Sequence, residues 1–135
     1  MAGSFSDFIE NKLLDLLFGN TAYTIPSPVF VSLFTAAPSD SGGGTEVTGG
    51  SYARVSVTNN STNFPAASGG AKSNGTVITF PAPTANWGTV VAFGIHDAST
   101  AGNLLGWATL TTNRVINSGD GAPKFAIGDL DITLD

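Results

Sequence analysis

The sequence predicts a mainly β protein, a single antiparallel β-sandwich with one N-terminal amphipathic helix. Three observations predict it. Helical spacing of apolar residues occurs only near the start of the chain. Beyond residue 20, short runs rich in Val, Ile, Thr and Phe are separated by clusters of Gly, Pro, Asn and Ser. There are roughly six to eight such runs, with no internal repeat of solenoid or fibre type, which favours a sandwich over a barrel. At 135 residues the chain fits one domain, with the helix over residues 1–20 and the sandwich over 21–135.

The helix is signalled by Phe5, Phe8, Ile9, Leu13, Leu16 and Leu17, with Leu14 and Phe18 widening the stripe. Ser4 is placed to cap it, Asp7 lies near the positive end of its dipole, and Gly19-Asn20 supply a left-handed stop. A helix of about 14 residues, ~21 Å long, results. It is too apolar to stand free in water, so it packs on its own domain or part of its face meets another subunit. Asp7 and Glu10, and the lack of a basic stretch before the apolar one, argue for a helix and against a signal peptide. The chain is therefore expected to be used first in a cytoplasm.

Val29 to Phe34 is apolar on both pleat faces and reads as a central strand. Residues 38–50 form a turn-rich loop. Tyr52 to Val57 alternates, with Ala53, Val55 and Val57 facing inward. Asn74-Gly75 is a hairpin signal that introduces a strand over Thr76 to Phe80. Thr89 to Ile95 places Val91, Phe93 and Ile95 on one face and Val90 and Ala92 on the other. Leu104 to Leu110 and Leu130 to Leu134 complete the set.

Composition excludes several functions. The net charge is −5, and the five cations Lys12, Arg54, Lys72, Arg114 and Lys124 stand singly, which argues against a sequence-independent nucleic-acid binder, so no nucleic-acid partner is expected. There is no Cys, which removes thiol chemistry and thiolate metal sites. No apolar run approaches the ~20 residues that cross a bilayer. His96 is the single histidine; Asp97 follows it and points to the opposite face, so His96 reads as a hydrogen-bonded structural residue. Asp129 and Asp131 share a strand face, which reads as solvated because calcium needs six to eight oxygens. Gly42-Gly43-Gly44 lacks the Lys and the following helix of a phosphate loop. Trp87 and Trp107, with Tyr52 and Tyr23, are either a sugar-stacking platform or core and subunit-contact aromatics. No catalytic residue, cofactor or metal ligand is assigned.

Certain segments carry a resemblance. They are FSDFIENKLLDLLFG, VFVSLFTAAP, GGGTEVTGGSYARVSV, the stretch from FPAP through WGTVVAFGIHDASTAGNLLGWATLT, and FAIGDLDITLD. Together they resemble a family of short tailed-bacteriophage proteins usually labelled tail fibre or minor tail protein. Tyr52-Ala53-Arg54 and Trp87-Gly88 are the most specific blocks. The resemblance implies a virion structural protein with no catalytic residues, whose partners are the major capsid protein or tail proteins. A fibre needs length from heptads or repeats, and this chain has neither. The expectation is therefore a non-enzymatic capsid decoration or cement protein, closing as a homo-oligomer, a trimer or similar ring. The alternative is a tail-associated protein touching host surface glycan. The candidate subunit interface is Phe5, Phe8, Ile9, Leu13, Leu16, Leu17, Trp87 and Trp107.

Overall fold

The computed structural model describes residues 3–134 and is mainly β. In chain order its elements are β1 (Gly3–Phe5), α1 (Asp7–Gly19), β2 (Val29–Ala36), β3 (Thr45–Glu46), β4 (Val55–Val57), β5 (Ala71–Ser73), β6 (Ile78–Thr79), β7 (Gly88–His96), β8 (Leu104–Ile116), β9 (Lys124–Phe125) and β10 (Asp131–Thr133). One large antiparallel sheet runs β1-β8-β7-β2-β3, and β4 takes the other half of the same β2 edge. Two small antiparallel pairs, β5-β10 and β6-β9, form the facing layer.

The core lies between these layers. Strand alternation turns Val29, Val31 and Leu33 of β2 and Phe93 and Ile95 of β7 to one face. There they meet Ile78, Phe80 and Leu130. Phe125 of β9 packs edge-on against Phe93 at 5.5 Å between ring centres. Offset and edge geometries of this kind suit the ring quadrupoles. Val90 also joins this core, although it was expected on the opposite face from Phe93. A register shift between Val90 and Ala92 accounts for the difference. The other face of the large sheet carries Ser32, Phe34, Ala92 and His96, all buried. Gly94 is needed there, since a Cβ would sit 2.8 Å from the Phe34 ring and 2.9 Å from Ser32 Oγ.

Three expectations change. Ser4 and Phe5 are not helical: Ser4 pairs with Trp107 and Phe5 with Gly106 in β1. The cap is Ser6, whose Oγ accepts from the Ile9 N–H at 3.4 Å and donates to the Leu104 carbonyl. The cap therefore lies two residues beyond the expected one, and the left-handed Asn20 ends the helix. Ala53 is exposed and lies outside β4, which begins at Val55. Asn74-Gly75 is not a two-strand hairpin, because β5 and β6 pair with β10 and β9. The buried Asn74 amide has another task. Its Nδ2 donates to the carbonyls of Thr76 and Ala126, and its Oδ1 accepts from the Leu130 N–H. One side chain thus ties its own turn to two points of the link between β9 and β10.

Candidate functional site

The first turn of α1 is tied down and the rest is not. Ser6 N–H donates to the Leu105 carbonyl and Asp7 N–H to the Asp40 carbonyl, each at 2.9 Å. Phe8 meets Tyr23 edge-on at 6.3 Å. Beyond that, no residue of the helix is buried. Leu14 is 56% exposed, Leu17 69% and Phe18 85%, and Ile25, just past the helix, is exposed with them.

The expected interface residues separate accordingly. Leu16 and Leu17 are exposed, while Phe5 in β1 and Phe8, Ile9 and Leu13 in α1 are half-buried. Trp107 is also half-buried, its Nε1 donating to Asp40 Oδ1 at 3.2 Å. Trp87 is 5% exposed, stacks edge-on with Tyr52 at 5.3 Å and donates to the Gly50 carbonyl at 2.9 Å. It is a core residue, so no exposed tryptophan platform is built from it. Ile25 is the addition that sequence reasoning missed, because Pro26 after it marked the segment only as extended.

A polar cluster stands beside the first turn of α1. Arg54 forks onto Glu46, with Nε to Oε1 and Nη2 to Oε2 both at 2.8 Å. Its Nη1 donates to the carbonyls of Ala98 and Ala101, so it also fastens the loop between β7 and β8. Tyr52 donates to Glu46 and accepts from the Leu33 N–H. Burial alone would raise the Glu46 carboxyl; the hydrogen bonds from Arg54 and Tyr52 outweigh it and hold that carboxyl below its usual range. Burial and the neighbouring carboxylate raise the Tyr52 phenol. Charge separation along the sequence hid this pair: nothing in the spacing of residues 46 and 54 marks a partner.

His96 lies beside this cluster, 6% exposed and stacked with Phe34. Its Nε2 shares a hydrogen bond with Ser32 Oγ at 2.9 Å, as the structural reading expected. Its Nδ1 is buried with no partner among the described residues. Burial, with Arg54 nearby, pushes the imidazole down to about 4, so it is neutral at pH 7. Asp97 does not orient it but caps the following turn through Asn103. His96, Arg54, the Gly42–Gly44 loop and the first turn of α1 enclose a cleft of about 530 Å³. All three of those glycines take positive φ, and Gly44 has no room for a Cβ beside the Ala36 carbonyl at 2.7 Å.

Among the described residues, no group of His, Asp and Glu is arranged to hold a metal ion. Asp129 is not a strand residue: its carboxylate accepts from the Ala126 N–H in the turn before β10, while Asp131 is exposed. Residues 4–133 match the family model described as podophage GP4 fiber I protein gp80. No curated protein matches the chain. The match spans nearly all of the sequence, and the chain belongs to that family of short-tailed-phage virion structural proteins.

Proposed function

We propose that this member of the podophage fibre family is a non-enzymatic, tail-associated component that joins its neighbours through the free end of α1 and touches host surface glycan. The observation that carries the docking reading is the contrast along one helix. Its first turn is hydrogen-bonded to β8, while Leu14, Leu17 and Phe18 stand in solvent. A large apolar side chain gains about 1.5–3 kcal/mol when fully covered. Several on one helix give a useful surplus after the cost of association.

The exposed positions lie on more than one side of the helix, since Leu14 and Phe18 fall about 60° and 100° to one side of Leu17 and Leu16 about 100° to the other. A ring of three copies, each helix touching two neighbours, covers such a surface better than a two-fold contact does. The family description supports a place on the tail over the shell-decorating role expected from the sequence. A short chain serves a fibre as a joint or collar, where length comes from its partners.

Sedimentation of the purified chain tests the first part, with a trimer expected. Imaging of the particle tests the second. Density for this chain at the tail is the expected result, and density on the capsid lattice alone would return the decorating role.

A further inference from the structure

We propose that Asn74-Gly75 is a self-modification site that the fold holds silent. When the loop over it opens, the Asn74 amide cyclises onto Gly75 and is lost as ammonia, and a chain that has lost it does not regain the native packing. The site is independent of where on the particle the chain docks.

Packing dictates both residues. Asn74 is 1% exposed. Its Nδ2 donates to the Thr76 and Ala126 carbonyls, both at 2.8 Å, and its Oδ1 accepts from the Leu130 N–H at 2.9 Å. Its main chain is bound as well, with the N–H donating to the Leu130 carbonyl and the carbonyl accepting from the Gly128 N–H. In so short a side chain, only a primary amide supplies two N–H donors and a carbonyl acceptor. Gly75 follows because no Cβ fits: it would meet the Thr62 carbonyl and lie 2.7 Å from the Pro65 ring. The fold thus requires the dipeptide that is least durable in an unfolded chain, where the nitrogen of a glycine has no side chain beside it to hinder attack.

The same contacts block the reaction. Cyclisation joins the Gly75 nitrogen to Asn74 Cγ and breaks the Cγ–Nδ2 bond, and Nδ2 leaves as ammonia with the proton from Gly75. Water then opens the succinimide at either carbonyl, giving aspartate in the ordinary linkage or in one lengthened by a methylene. In the fold, the Gly75 N–H donates to the Asn63 carbonyl at 2.7 Å, and Nδ2 is held by its two carbonyls. The covering loop is fastened in turn. Thr76 Oγ1 donates to Asn63 Oδ1 at 2.8 Å, Asn63 Nδ2 to the Thr58 carbonyl at 2.8 Å, and Lys72 Nζ to the Phe64 carbonyl at 3.2 Å. Reaction therefore needs residues 58–65 to lift first.

The product bars the return. A carboxylate has no N–H, so it would set a buried negative charge against the Thr76 and Ala126 carbonyls. Those carbonyls lie just before β6 and just after β9, so the facing layer loses its tie to Asn74.

The test holds the full chain for equal times in native buffer and in concentrated urea, at the same mildly alkaline pH, and follows the peptide carrying Asn74 by mass spectrometry. Asn74 is expected to be the first amide lost in urea, and to be lost at least about a hundredfold more slowly in the native chain. On dilution from urea, the fraction that refolds is expected to match the fraction still unmodified. Thr76→Val removes one fastening of the loop and leaves the dipeptide intact. It is expected to raise the native rate several-fold, up to about tenfold, with the rate in urea unchanged. A native rate within about tenfold of the rate in urea overturns the silencing. A native rate that Thr76→Val leaves unchanged overturns the gating, and modified chains that refold with the wild-type urea midpoint overturn the barred return.

Discussion

Two stretches of this chain are equally apolar on paper and end in opposite places. Phe93 in Thr89 to Ile95 is sealed, while Phe18 in Leu13 to Phe18 stands almost wholly in water. The difference is in what surrounds each. β7 has β2 and β8 on its edges, the small sheets over one face, and Phe34 and Ser32 beside His96 on the other. α1 has only its first turn fixed, by Ser6 and Asp7. Apolar character therefore marks what must be covered, and the topology decides whether the same chain or another one covers it.

The sharpest way to break this contrast is at Phe93. Phe93→Ala is expected to lower stability by about 3–5 kcal/mol in urea denaturation, since the ring meets Phe125 and cannot be replaced by collapse. Arg54→Ala comes next, at about 2–3 kcal/mol, because it leaves Glu46 Oε2 and two carbonyls without their donor. Arg54→Lys is expected to recover less than half of that loss, for lack of a fork.

The third effect is one of pH. His96 binds its proton near pH 4 when folded and near 6.5 when unfolded, so between those values the unfolded chain holds more protons. Stability is then greatest above pH 6.5 and declines toward pH 4, by at most about 1.4 kcal/mol per pH unit. Arg54 opposes the proton, while Glu46 and Asp97 favour it. Because the folded Glu46 carboxyl is lowered, its own loss falls below its ordinary value near 4.5. His96→Phe should flatten the upper window; a slope that persists there assigns the titration elsewhere. The smallest effect on stability belongs to Phe18→Ser, within about 0.5 kcal/mol by the same denaturation. The same substitution is expected to turn the proposed oligomer into a monomer, and a variant that sediments as the wild-type chain does would remove α1 as the contact.

Much of the architecture was legible in the chain. The helix, the central strand at Val29 and the long β7 follow from periodicity, which is a local property. What could not be read locally was pairing. Asn74-Gly75 has the composition of a hairpin, yet its amide serves Ala126 and Leu130, 52 and 56 residues away, as well as nearby Thr76. Glu46 and Arg54 meet only because β3 and β4 share the edge of β2. Ser4 looked like a cap because capping depends on a serine before an apolar run, and Ser6 satisfies the same rule with a β8 carbonyl as a further partner. Of the candidate interface, Leu16 and Leu17 are exposed, while Phe8, Ile9 and Leu13 of the same helix are half-buried. Trp87 is not exposed, since the carbonyl it bonds belongs to a loop 37 residues away.

The placement of the two indoles has an optical consequence. Trp87 is enclosed by Tyr52 and the Gly50 carbonyl, while Trp107 lies beside the Asp40 carboxylate next to β1. Intrinsic fluorescence therefore carries two unlabelled signals from one chain. Emission from Trp87 follows the melting of the interior, and quenching at Trp107 follows release of the Asp40 loop from the strand that leads into α1.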